Sequence, residues 1–165
     1  MESLSELHLD PLAEVFNVGA GRAAASLSEI VGDEVKLSVP SIEVKRTSEI
    51  NAEAMDFNSP KFGVVSQNFS GPFDAQALLL FTESHALEIV RDMMGSQMSI
   101  EELAEFEQEA MCELGNIILN ACLSAIADML HISLNSSLPD YKIATTDEIF
   151  KSLHNSEEQA YVLVL

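Results

Sequence analysis

Glu14 and Asn17 stand three residues apart, and so do Glu113 and Asn116, 99 positions further along the chain. In each copy 22 residues then separate the Asn from a proline, Pro40 and Pro139 respectively. A carboxylate beside a carboxamide can hold and orient a water molecule. Three fixed points at identical spacing, twice in one chain, point to a duplicated unit that presents the same pair of groups.

Residues three apart on a helix are neighbours, so each Glu can act beside its Asn on one surface. A single Glu-x-x-Asn is ordinarily no more than a solvated helix face. Asn, however, forms helices poorly because its amide competes for nearby backbone groups. Two mid-helix Asn residues at matched positions, both facing away from the apolar stripe, therefore need a reason. Gly19, Gly21 and Gly115 lie in the same stretches, and a helical Gly costs about 1 kcal/mol against Ala, which predicts close approach by another backbone.

The elements that must carry these pairs can be read from periodicity. Asp10–Pro11 opens a helical pattern with a cap and a favourable first residue. Its stripe is Leu12, Phe16, Ala23, Leu27 and Ile30, and Gly32 ends it. A strand broken near Pro40 is expected from Glu34 to about Glu43, then a polar, turn-like stretch over 50–62. Gly63–Phe69 and Ala75–Phe81 read as an antiparallel hairpin. A helix from Thr82 or Ser84 runs to about Met94 and stops at Gly95.

Ser99 to Glu102 forms a capping box before a long helix reaching toward His131. Its stripe is Met111, Leu114, Ile118, Cys122, Ile126 and Met129, with Glu113, Asn116, Asn120 and Ser124 across from it. A strand near Leu134–Ile143, a short helix near Asp147–His154 and a terminal strand Ala160–Leu165 follow. The fold class is α+β: two fused αβ repeats about a pseudo-twofold axis, their long motif-bearing helices packed on a mainly antiparallel sheet. No linker divides the halves, so residues 1–165 form one domain, with repeat one over about 1–98 and a curtailed repeat two over about 99–165.

Composition narrows the function. A 165-residue chain that is 47% hydrophobic has ample material for a core. Eight Lys plus Arg against 27 Asp plus Glu give a formal charge of −19. Such a surface repels phosphate backbones and anionic bilayers, so neither nucleic acid nor membrane insertion is expected. With no signal-like N-terminus and no long uninterrupted apolar run, the expected location is cytoplasmic. Cys112 and Cys122 lie too far apart on one helix to bridge and read as small apolar side chains. The four His show no metal-ligand spacing, and Glu101, Glu102, Glu105, Glu107 and Glu109 read as a solvated face near a helix N-terminus.

The doubled motif resembles the CheC family of chemotaxis phosphatases (with the related CheX and FliY proteins). The family signature runs Asp or Ser, then Glu four positions on, Asn three further, and Pro after 22 more residues. Asp10, Glu14, Asn17 and Pro40 match it in full. Glu113, Asn116 and Pro139 match the second time, with Glu109 where the family has Asp or Ser. Two copies look like CheC, whereas CheX proteins keep one.

The resemblance implies a hydrolase that removes the aspartyl phosphate of a CheY-like response regulator in two-component signalling. It implies water positioning by Asn17 and Asn116, and anchoring of the regulator's Lys by Glu14 and Glu113. Asp10 and Glu109 are supporting candidates, Asp10 also being a helix cap. No cofactor of its own is implied, because the regulator brings Mg²⁺. The alternative is a non-catalytic adaptor that docks a response regulator, a CheD deamidase or a flagellar-switch component. A third reading is a duplicated scaffold for homodimerisation. The two prolines are expected to end or redirect the strands that follow each helix.

Overall fold

A computed structural model describes residues 6–39, 41–51, 53, 59–95, 97–154 and 161–164. In chain order the elements are α1 (Glu6–Val31), β1 (Glu43–Arg46), β2 (Lys61–Ser70), β3 (Ala75–Thr82), α2 (Glu83–Met94) and α3 (Ile100–Leu130). After these come β4 (Asn135–Ser136), β5 (Asp140–Thr145), α4 (Thr146–His154) and β6 (Tyr161–Val164). The fold is α+β, with helices packed on an antiparallel sheet.

Strand β2 is the spine of that sheet. It pairs along its length with β3, from Phe62 opposite Thr82 to Phe69 opposite Ala75. On its other edge it meets β5 over residues 61–66 and β4 at Phe69 and Ser70. All these pairings are antiparallel. A separate two-stranded ribbon joins β1 to β6.

Both faces of β2 are covered. On one face Val65 and Phe69 pack with Leu27 of α1, Val90 of α2 and Met111, Leu114 and Leu119 of α3. On the other, Phe62 and Val64 pack with Ala144 and with Ile149 of α4. A third cluster sets Phe16 of α1 against Cys122 of α3 and Ile42. Helix α3 is long and apolar enough in length and composition to span a bilayer. Here, however, it is the central core helix, flanked by α1 and α2 and seated on the sheet.

The helix ends follow local chemistry. Ser99 Oγ accepts from the Glu102 N–H while Glu102 Oε2 accepts from the Ser99 N–H at 2.8 Å, which completes the expected capping box. The Ser99 N–H holds the Glu102 carboxyl below the usual range. Thr82 caps α2. Burial, and then acceptance of its hydroxyl hydrogen by Glu107, push the Tyr141 phenol above its ordinary pKa.

Four expectations are corrected. Helix α1 begins by Glu6, so Pro11 lies inside it and Asp10, exposed, is not its cap. Leu9 packs against the Phe16, Ile42 and Cys122 cluster, which ties this part of the helix to the core. Residues 34–39 form no strand. Side chains of α1 take their backbone groups instead: Ser28 Oγ accepts from the Val35 N–H at 2.9 Å, and Asn17 engages Val39. The strand expected over Leu134–Ile143 is split into β4 and β5 around Leu138–Pro139, where proline supplies no N–H to the ladder. Ile30 and Met129, assigned to the apolar stripes, are exposed. Pro40 lies outside the described residues.

The two motif helices touch through backbone at Gly19, as that glycine predicted, but the same expectation fails at Gly21 and Gly115, which approach no other backbone. A Cβ on Gly19 would stand 2.7 Å from Cys122 Cα, and one on Gly115 would run into the Val65 side chain. Arg22 and Asp128 bridge α1 and α3 at the exposed edge, 3.0 Å apart. Gly19→Ala is therefore expected to destabilise by about 1–3 kcal/mol through forced separation of the helices. Gly21→Ala meets no atom within 4 Å and is expected to gain up to about 1 kcal/mol of helix propensity. Urea unfolding of the two variants checks this opposition of sign.

Candidate active site

The structure sets Glu14 on α1 and Glu113 on α3, both exposed. Asn17 and Asn116, three residues further along each helix, are half-buried. Asp10 and Glu109 each lie one turn before the Glu, exposed and within the same helix. Each motif therefore forms a strip of carboxylates that ends in a sunken amide.

The amides are sunk because they bind backbone. Asn17 Oδ1 accepts from the Val39 N–H at 2.8 Å, and Nδ2 donates to the Val39 carbonyl at 3.2 Å and to the Ala13 carbonyl at 3.0 Å. The carboxamide thus stands in for a strand neighbour and pairs Val39 in both directions. Val39 immediately precedes Pro40, so this contact accounts physically for the fixed distance between Asn and Pro at the first motif.

The second motif solves the same problem differently. Gln67 of β2, 1% exposed, donates from Nε2 to the Ser137 carbonyl at 2.8 Å and to Asn116 Oδ1 at 3.2 Å. Asn120 Nδ2 donates to Asn116 Oδ1 at 2.7 Å and to the Asn116 carbonyl at 2.8 Å. The Asn68 N–H donates to Ser137 Oγ and the Ser137 N–H to the Asn68 carbonyl, which stitches Ser137 to β2. Leu138 is pushed outward to 90% exposure. Pro139 sits over α3, its carbonyl 3.8 Å from Cys112 Sγ. Burial first, and then Asp140, push that thiol's pKa up, so it stays protonated and unreactive at neutral pH.

The two motifs are therefore alike in sequence and unlike in wiring. At the first, both hydrogens of the Asn17 amide are spent on carbonyls. At the second, the oxygen of Asn116 takes two internal donors, and among the described residues its Nδ2 has no partner. Gln67 was missed by sequence reading. Its signal was a lone carboxamide in the otherwise apolar row Gly63, Val65, Gln67, Phe69.

Both motifs lie on helix surfaces and not in a cleft. A cavity of about 520 Å³ does open where Leu27, Val35, Leu37, Phe81, Ile89 and Ile118 meet. Leu27 is ten residues along α1 from Asn17, roughly 15 Å at helical rise. On α3 the wall includes Leu114 and Ile118, but none of Glu14, Asn17, Glu113 or Asn116 lines the cavity.

No family model matches the chain. It is 26% identical over 146 residues to the CheY-P phosphatase CheC of Bacillus subtilis, covering 85% of this chain and 68% of that protein. It is 23% identical over 150 residues to the flagellar motor switch phosphatase FliY of Bacillus subtilis, 90% of this chain but only 39% of FliY. Among solved structures, Thermotoga maritima FliY superposes with a TM-score of 0.77 at 23% identity, over 98% of this chain and 82% of that one. The Borrelia burgdorferi CheX of a CheX–CheY–BeF₃–Mg²⁺ complex superposes with a TM-score of 0.51 at 15% identity, over 91% and 85%. The chain is homologous to CheC and FliY, and its fold is similar to that of the FliY and CheX structures.

Removing the Asn17 side chain by Asn17→Ala is expected to cost about 1–3 kcal/mol, because it strands both polar groups of Val39. Exchange of the Val39 amide hydrogen should quicken with it. Glu14→Ala, on the same helix but exposed and not bonded to Val39, is expected to stay within about 0.5 kcal/mol of wild type. Equal losses in denaturant unfolding would contradict the clamp.

Proposed function

We propose that this protein hydrolyses the aspartyl phosphate of a CheY-like response regulator in the cytoplasm, as a phosphatase of chemotaxis-type two-component signalling. The observation that carries this reading is the pair of surface strips, each with an exposed Glu one turn before an amide held in fixed orientation. Two relatives named as CheY-P and motor-switch phosphatases support it.

The chemistry asks little of the protein. An aspartyl phosphate is an activated acyl phosphate, and the regulator's own Mg²⁺ and Lys neutralise its charge, so the phosphatase needs no metal of its own. What remains is to hold a water in line with the leaving carboxylate. The water oxygen bonds to phosphorus as the bond from phosphorus to the aspartyl oxygen breaks. The regulator recovers its carboxylate, and the water's protons leave with inorganic phosphate or pass to solvent. A neutral amide can approach the phosphoryl group, whereas a carboxylate there would be repelled. Asn17 and Asn116 are the water-positioning residues in this reading. Glu14 and Glu113 pair with the regulator's Lys and fix the docking, and Asp10 and Glu109 extend the acidic strip. The two motifs belong to two fused repeats, about 1–98 and 99–165.

One observation favours a second reading for the first motif alone. With both Nδ2 hydrogens of Asn17 engaged, only a spare lone pair on its oxygen is left for a water. That strip then serves as a docking surface for a response regulator, a CheD deamidase or a flagellar-switch component, with little turnover of its own.

Timing the decay of a phosphorylated CheY-type receiver separates these readings. Wild type is expected to accelerate decay, and Asn17→Ala with Asn116→Ala together to remove about tenfold or more of that acceleration. Undiminished acceleration by a folded double variant would refute the assignment of the amides.

A further inference from the structure

On the phosphatase reading above, we infer that Gln67 is the positioning residue of the second motif, fixing which end of the Asn116 carboxamide meets the partner. Strand β2 turns Gly63, Val65, Gln67 and Phe69 toward the helices, and Gln67 is the one residue of that row with a polar side chain. A buried carboxamide is costly unless bonded, and an apolar residue would fill the same space without that cost. Its value lies in what it bonds.

The orientation of every amide in the network follows from two peptide carbonyls, which can only accept. The Ser137 carbonyl, 2.8 Å away, requires that Gln67 present its NH₂ end there. The Asn116 carbonyl, 2.8 Å from Asn120, requires the same of Asn120. Both NH₂ groups then aim their remaining hydrogens at one atom, Asn116 Oδ1, at 3.2 and 2.7 Å. With its oxygen held inward by two donors, Asn116 turns Nδ2 outward, one turn beyond Glu113. Gln67 itself is too deep to touch a partner. It acts only by excluding the flipped amide, which would present an acceptor where the phosphoryl oxygens need a donor. The first motif has no such residue, because Asn17 binds Val39 directly.

The test uses Glu14→Ala protein, in which the first motif cannot anchor a regulator, and a phosphorylated CheY-type receiver. Gln67→Leu should lower kcat about tenfold or more with KM within about twofold, since misorientation spoils alignment and leaves docking intact. Gln67→Glu should be as slow at pH 8 and recover relative to the parent as pH falls, because protonation restores one donor. A merely structural role predicts no such pH-dependent recovery. A folded Gln67→Leu protein with kcat within twofold of its parent overturns the proposal.

If neither variant folds, side-chain amide NMR of the unsubstituted protein decides. Both Gln67 NH₂ hydrogens must be slow to exchange and show contacts to Asn116, and rapid exchange overturns the proposal. Failure of the wild-type protein to accelerate decay overturns the phosphatase reading, an active wild type with an inactive Glu14→Ala parent overturns the present proposal alone, and the NMR result stands or falls by itself.

Discussion

After each motif helix the chain must return along the molecule with its peptide groups satisfied, and here carboxamide side chains perform that task. Asn17 pairs the Val39 peptide in both directions. Gln67 takes the Ser137 carbonyl and passes its second hydrogen to Asn116. Buried peptide groups are almost always bonded, so a segment deprived of a strand neighbour must find another partner. The same bonds that hold these segments also rob the amides of freedom. A carboxamide that cannot rotate is what a water-orienting group should be, because its ordering entropy is lost on folding and not again at each encounter.

Much of this was legible in the sequence. The 3.6-residue periodicity placed α2 and α3 closely, the capping box at Ser99 fixed the start of α3, and the alternation over Gly63–Phe69 and Ala75–Phe81 gave the hairpin. Gly19 announced close backbone approach, whereas Gly115 makes room for the Val65 side chain and Gly21 faces open space. What failed did so where side chains replaced backbone pairing. Residues 34–39 have the composition of a strand, but Ser28 and Asn17 satisfy them from α1. Asp10–Pro11 carries the chemistry of a cap, yet the helix already runs from Glu6, with Leu9 packed on the core. The motif residues were legible because helical spacing keeps them together. Gln67 was not, because it joins Asn116 only through strand-to-helix packing, 49 positions away in the chain.

Duplication in sequence has not kept the two motifs equal. The first pairs with an adjoining segment through one residue. The second recruits Gln67, Asn120 and Ser137 around a break in the sheet edge that leaves Leu138 standing out beside it. Glu113 is exposed one turn before Asn116, and Leu138, next to the Ser137 carbonyl that Gln67 takes, is exposed as well. That composition suits a macromolecular partner whose reactive group lies in a recess of its own. The chain's overall charge of −19 gives no general attraction to an acidic partner, so on the proposed reading docking would rest on local contacts.

The most direct measurement is a chemical-shift map of this protein titrated with a beryllofluoride- and Mg²⁺-loaded CheY-type receiver. The account predicts saturable changes centred on Glu113, Asn116 and Leu138, with the Asn116 side-chain NH₂ resonances among the most perturbed, and smaller changes around Glu14. Binding that maps instead to α4 and the opposite face of the sheet, leaving the Asn116 amide untouched, would contradict it.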